Sequence, residues 1–147
     1  MRSHSLFGTA IALTIGVTTL TVATMVAGPA TTDSDRIRLA KNELAQGHWS
    51  TAAQLAGRVT EPDKREESLL IQAAAVEEHS GATEALKFLL TETLQHQRST
   101  TIQRNIAELA ATSGAITEAL RATDSILAAE PDDTAALRRS ALLNGIV

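Results

Sequence analysis

Three times along the chain an alanine is followed seven residues later by a glycine, and the pair recurs every 33 to 34 residues. The pairs are Ala40/Gly47, Ala74/Gly81 and Ala107/Gly114, and a further alanine, Ala141, follows Ala107 by 34 residues. A fixed period of this length marks supersecondary units that cannot bury an apolar face alone and complete a core by stacking on their neighbours. No other feature constrains the fold as strongly.

The apolar content supports helices rather than strands. Apolar residues make up 44% of the 147 residues, yet aromatics are only 2%: Phe7, Trp49 and Phe88. Alanine and leucine carry the rest, and both favour helix over strand. No segment alternates with a period of two. Seven helices are expected, over about 34–46, 49–60, 64–80, 83–97, 100–113, 116–130 and 134–144. Asp33 or Ser34 is placed to cap the first, and Asp63 with Glu66 reads as a capping box for the third. Gly47, Gly81 and Gly114 are expected to stop helices, and Pro131-Asp132-Asp133 to break the chain and cap the last. Helices separated by one or two residues must fold back as antiparallel hairpins.

At the N-terminus, Leu6 to Gly28 is a run of 23 uncharged residues. As a helix it would extend roughly 34 Å, enough to cross a bilayer core. Arg2 and His4 precede it and Asp33 and Asp35 follow, which predicts residues 33–147 outside the cytoplasm. Residues 1–30 therefore form a separate hydrophobic helix, read either as a membrane anchor or as a signal peptide. Threonines at 9, 14, 18, 19, 21 and 24 lower its hydrophobicity, and Gly28-Pro29-Ala30 offers a small-residue cleavage site. Retention gives a single-pass membrane protein, and cleavage gives a secreted or periplasmic one. Gly8, Ala12 and Gly16 share one face, a spacing that lets membrane helices approach closely but is common in such segments.

Residues 31–147 resemble the tetratricopeptide repeat family. Leu39-Ala40, Ala73-Ala74 and Ile106-Ala107 match the large–small pair of the family's first helix. Gly47, Gly81 and Gly114 match its turn, and Ala52, Ala85 and Ala119 match the small residue of its second helix. Pro131 falls at the family spacing and Pro62 two residues early. The family's other aromatic positions are unfilled apart from Trp49, and Ala85 comes one residue early relative to Gly81. The resemblance implies an all-α domain of antiparallel hairpins stacked as a right-handed superhelix, with repeats over about 33–66, 67–99 and 100–133 and a terminal helix at 134–147. Other helical-hairpin repeats share much of this pattern.

The resemblance also implies a partner-binding groove lined by the first helix of each repeat. The exposed inner positions would be Ile37, Lys41 and Leu44, then Ile71, Ala75 and Glu78, then Arg104, Glu108 and Ala111, and finally Arg138 and Leu142. A protein or peptide is the expected occupant; a solvated charged face is the plainer reading of Lys41, Glu78, Arg104, Glu108 and Arg138. Trp49 either anchors a partner or fills a gap between the first two helices. The terminal helix is apolar for an array end, so association with a second copy or another protein is expected there.

The chemistry-bearing residues form no enzyme motif. The chain has no cysteine and four histidines, none four residues from another on a helix. Glu77-Glu78-His79 is the one local acid–histidine cluster, and its side chains diverge. No phosphate-cradling glycine loop or nucleophile elbow occurs. Beyond residue 32 lie seventeen acidic and twelve basic residues, interspersed, which disfavours nucleic acid. No catalysis, cofactor or metal is therefore expected. The function expected is an extracytoplasmic scaffold or adaptor binding a protein or peptide at the membrane. The alternative is a structural protein that self-assembles through its terminal helix and membrane segment.

Overall fold

A computed structural model describes residues 32–94 and 99–145. The expected N-terminal helix, residues 1–30, lies outside them. Among the described residues the chain is all-helical and has no strand. Its helices are α1 (Asp33–Ala45), α2 (Trp49–Gly57), α3 (Arg65–Ser80), α4 (Ala82–Glu92), α5 (Thr100–Ser113), α6 (Ile116–Ala129) and α7 (Thr134–Asn144). A single 3₁₀ turn at Pro62–Lys64 leads into α3. No described helix is long and apolar enough to cross a membrane.

Each helix packs on the next in sequence, and α3 also packs on α1 and α5. The links are short, so successive helices reverse direction. The core is built around α3. Ile37, Ala40, Ala56 and Ile71 form a small cluster between α1, α2 and α3. Leu69 and Ala73, also on α3, belong to a larger cluster that runs through α4, α5 and α6 to Leu143 of α7. Two apolar stripes on one helix explain why Leu69, Ile71, Ala73 and Ala75 are all buried.

The repeat has a different register in space from the one in the alanine–glycine spacing. Ala40 and Ala107 are wholly buried, but Ala74 is only partly so and Ala141 is exposed. Ala73, 4% exposed, takes the equivalent place in α3. The buried alanines then stand twelve residues apart in each helix pair, at Ala40 and Ala52, Ala73 and Ala85, and Ala107 and Ala119, and Ala52, Ala85 and Ala119 have zero exposure. This removes the one-residue discrepancy at Ala85. The offset belongs to Gly81. Gly114 ends α5 in the left-handed conformation, at φ 77° and ψ 13°. Gly81 sits at φ 88° and ψ 168°, ends α3 and begins α4 with no residue between. The second hairpin thus has a longer first helix and a shorter turn.

Two expected caps and two expected helix ends differ. Thr32, rather than Asp33 or Ser34, caps α1: its hydroxyl oxygen accepts the N–H of Asp35 at 3.2 Å. The Asp63/Glu66 capping box does not form, because Pro62 directs that segment into the 3₁₀ turn and Lys64 stands at the helix start. α2 stops at Gly57 rather than Thr60, since the Thr60 and Glu61 N–H groups donate to Asp33. α4 ends at Glu92, and Thr93, a poor helix former, turns its hydroxyl back to the Leu89 carbonyl at 2.6 Å. Asp133 caps α7 as expected, accepting from Ala135 N and Ala136 N at 2.9 Å each.

A Cβ added at Gly81 or Gly114 would meet no atom within 4 Å, so substitution there tests the backbone alone. Gly81→Asn is expected to destabilise the domain by about 1–3 kcal/mol, because its φ and ψ suit only glycine. Gly114→Asn should cost less than about 1 kcal/mol, since asparagine tolerates the left-handed conformation. Urea denaturation of the two variants followed by circular dichroism compares them. Equal losses would contradict the difference in conformation.

Candidate functional site

The first helices supply the candidate surface, but its expected residues divide into three groups. Ile37 and Ile71 are each 5% exposed and belong to the core. Their expected exposure is corrected: α3 carries neighbours on two sides, so its inner face and that of α1 turn into the protein. Ala75 is buried for the same reason, and Leu44 is half-buried.

Lys41 and Arg104 are exposed but engaged. Lys41 on α1 forms an ion pair with Glu67 on α3, tying adjacent first helices together. The Arg104 guanidinium on α5 donates to Asp133 at 2.8 and 3.3 Å and also pairs with Glu130. The N–H groups of α7 and then Arg104 hold the Asp133 carboxyl below the usual carboxylate range. Arg104 thereby fixes the turn that starts α7, a structural duty in addition to any contact with a partner.

Glu78, Glu108, Ala111, Arg138 and Leu142 are exposed. Glu78, Glu108 and Arg138 form no ion pair among the described residues. Glu108 lines a depression of about 140 Å³ between α5 and α7, with Arg104, Asp133 and Arg139 on its rim and Ile126 and Ala136 beneath. Small-molecule sites usually enclose roughly 300–1,000 Å³. The depression is therefore smaller than such a site. Of the expected residues, Arg104 and Glu108 are brought together there; Arg139 joins them where Arg138 was expected.

A second polar element went unread in the sequence. Asp33 is 4% exposed, and its Oδ2 accepts Thr60 N at 2.7 Å, Glu61 N at 2.8 Å and the Thr60 hydroxyl at 3.1 Å. Its Oδ1 pairs with Arg36. The two backbone donors, with smaller help from Arg36 and the Thr60 hydroxyl, lower its pKa to about 2. Asp33 on α1 and Arg104 on α5 perform one task with opposite charge: each holds the link that follows the next helix. Neither has a local signal, since their partners lie 26 to 29 residues away. Ser68 adds a neutral version, its hydroxyl donating to the Ala56 carbonyl at 2.8 Å at the end of α2.

Trp49 is half-buried, and its ring centroid lies 6.1 Å from that of His79, tilted by 46°. It meets the C-terminal end of α3 in the following hairpin. No group of three histidine, aspartate or glutamate side chains among the described residues is arranged to hold a metal ion.

No family model matches the chain, and no curated protein sequence is significantly similar to it.

The Asp33 site generates a pH prediction. Its folded-state pKa is depressed, so its stabilisation is present above the ordinary value of 3.8 and is lost as pH falls toward about 2. The thermal midpoint of the full chain should fall across that window. Asp33→Asn should lower the midpoint at neutral pH and flatten the acid limb. An unchanged acid limb in the variant would show that other carboxylates control it.

Proposed function

We propose that this protein is a protein–protein interaction module of the tetratricopeptide type, held at or exported across a membrane by its N-terminal segment. Its repeat domain lies outside the cytoplasm and serves as a scaffold or adaptor for a protein or peptide partner.

One observation carries this reading. Buried alanines recur at corresponding spacings in three successive helix pairs, Ala40/Ala52, Ala73/Ala85 and Ala107/Ala119. An array built this way creates extended surfaces rather than enclosed pockets. The small depression beside Glu108 suits such recognition. Of the charged positions expected in the groove, Lys41 and Arg104 form ion pairs, whereas Glu78, Glu108 and Arg138 form none among the described residues. An extended or helical peptide with scattered charges of both signs complements them. Leader sequence and charge flanks support the membrane assignment, by the distribution of Arg2, Asp33 and Asp35 around residues 6–28.

The test is a mild cross-link and pull-down from membranes with the tagged full chain and a Glu78→Lys/Glu108→Lys variant. Arg104 is left intact because it anchors the α6–α7 turn. A distinct envelope protein should be captured by the unaltered chain and lost with the double change, while helicity by circular dichroism is unaltered. Recovery of the bait alone as an oligomer, unaffected by the change, would favour self-assembly and overturn the groove reading.

A further inference from the structure

α7 departs from the other helices in both packing and charge. Ala136 and Leu143 face inward, 1% and 5% exposed, while Leu137 is 48% and Leu142 70% exposed. These two are among the three exposed large apolar side chains of the described residues, the other being Leu94. At about 100° per residue, Ala141 lies between Leu137 and Leu142 on the helix surface, as does Arg138. Ala141 adjoins Leu137 and Arg138 adjoins Leu142, so the exposed face of α7 sets a cation among apolar side chains.

The charges select what fits. The segment Thr134–Asn144 contains Arg138 and Arg139 and no acidic residue. Neither arginine has an ion-pair partner among the described residues, and Arg139 shares the α5–α7 depression with Glu108 without pairing to it. The nearby Arg104 guanidinium is neutralised by Glu130 and Asp133, while Asp132 in the same turn forms no ion pair among the described residues. A second copy packed α7 against α7 would set four arginines against one another with no carboxylate on either α7 to separate them. Like charges so juxtaposed oppose association.

We propose that the outer face of α7 docks an amphipathic helix of a partner protein that carries acidic residues beside its apolar stripe. The stripe seats on Leu137, Ala141 and Leu142, and the carboxylates pair with Arg138 and Arg139. This proposal rests on the reading of the domain as a protein-binding module and gives that module a second, chemically defined contact at its C-terminal end.

The test uses the full chain in phosphatidylcholine nanodiscs, with empty nanodiscs as blank. The probe is a fluorescein-labelled synthetic helix with leucines at i, i+3, i+4 and i+7 flanked by glutamates; its counterpart has lysines in place of the glutamates. Fluorescence anisotropy at low salt should show saturable binding of the acidic helix, about tenfold tighter than the lysine helix. Arg138→Glu/Arg139→Glu should invert that order, and Leu137→Ser/Leu142→Ser should weaken both helices. All four positions are at least partly exposed, and circular dichroism checks that the variants remain folded. Equal binding of the two helices, no saturable binding, or binding indifferent to the α7 changes would overturn the proposal. So would a concentration-dependent dimer that Leu142→Ser abolishes, which would make a second copy the occupant. The pull-down with Glu78→Lys/Glu108→Lys is independent of α7. If it loses its partner while the helix fails to bind, the groove reading stands and the α7 proposal falls.

Discussion

Close approach of helix backbones over buried alanine is the constraint on which the rest of this structure depends. With two phenylalanines and one tryptophan in the whole chain, few aromatic side chains are available to fill the space between helices. The helices must approach closely enough for alanine to reach its neighbour. Ala40, Ala52, Ala56, Ala85, Ala107, Ala110 and Ala119 all have zero exposure. Leucine and isoleucine then complete the layer between them, with Leu89, Ile106 and Ile126 as the most deeply buried. Interiors packed to this density tolerate little change in volume, so alanine at these places is a requirement of geometry rather than a default.

An alanine-built core contributes less apolar burial per residue than an aromatic one, and polar clamps reinforce the links. Asp33 holds Thr60 and Glu61, Arg104 holds Glu130 and Asp133, and Ser68 closes the end of α2. Each joins one hairpin to the beginning of the next. No buried side-chain polar atom among the described residues lacks a partner. The clamps also determine which charges remain for recognition. Arg104 is exposed yet already neutralised, whereas Glu78, Glu108, Arg138 and Arg139 are not. Counting charges on a face would have missed that division.

Helix number and most helix ends were legible in the sequence, because alanine- and leucine-rich segments are punctuated by Gly47, Gly114 and Pro131. These signals act within a few residues. Legibility failed where a distant group intervened. α2 is shortened by Asp33, which lies 27 residues before Thr60. The alanine register slipped by one in α3 because Gly81 terminates that helix in a different conformation from Gly114. Of the expected groove, Ile37 and Ile71 proved to be core, since they share one apolar cluster with Ala40 and Ala56 where α1, α2 and α3 meet.

The sequence by itself determined that the described chain is helical, where most of its helices turn back, and that an alanine recurs at 33 or 34 residues. Those properties follow from local backbone preference and from the period of apolar residues, both written in neighbouring positions. Only the tertiary structure decided that Ala73 rather than Ala74 packs in α3, that Asp33 and Arg104 act as clamps, and that Leu137 and Leu142 of α7 are left open to solvent. Each depends on which surfaces meet across the fold. A helix carries several residues that can face inward, and the neighbours it packs against choose among them.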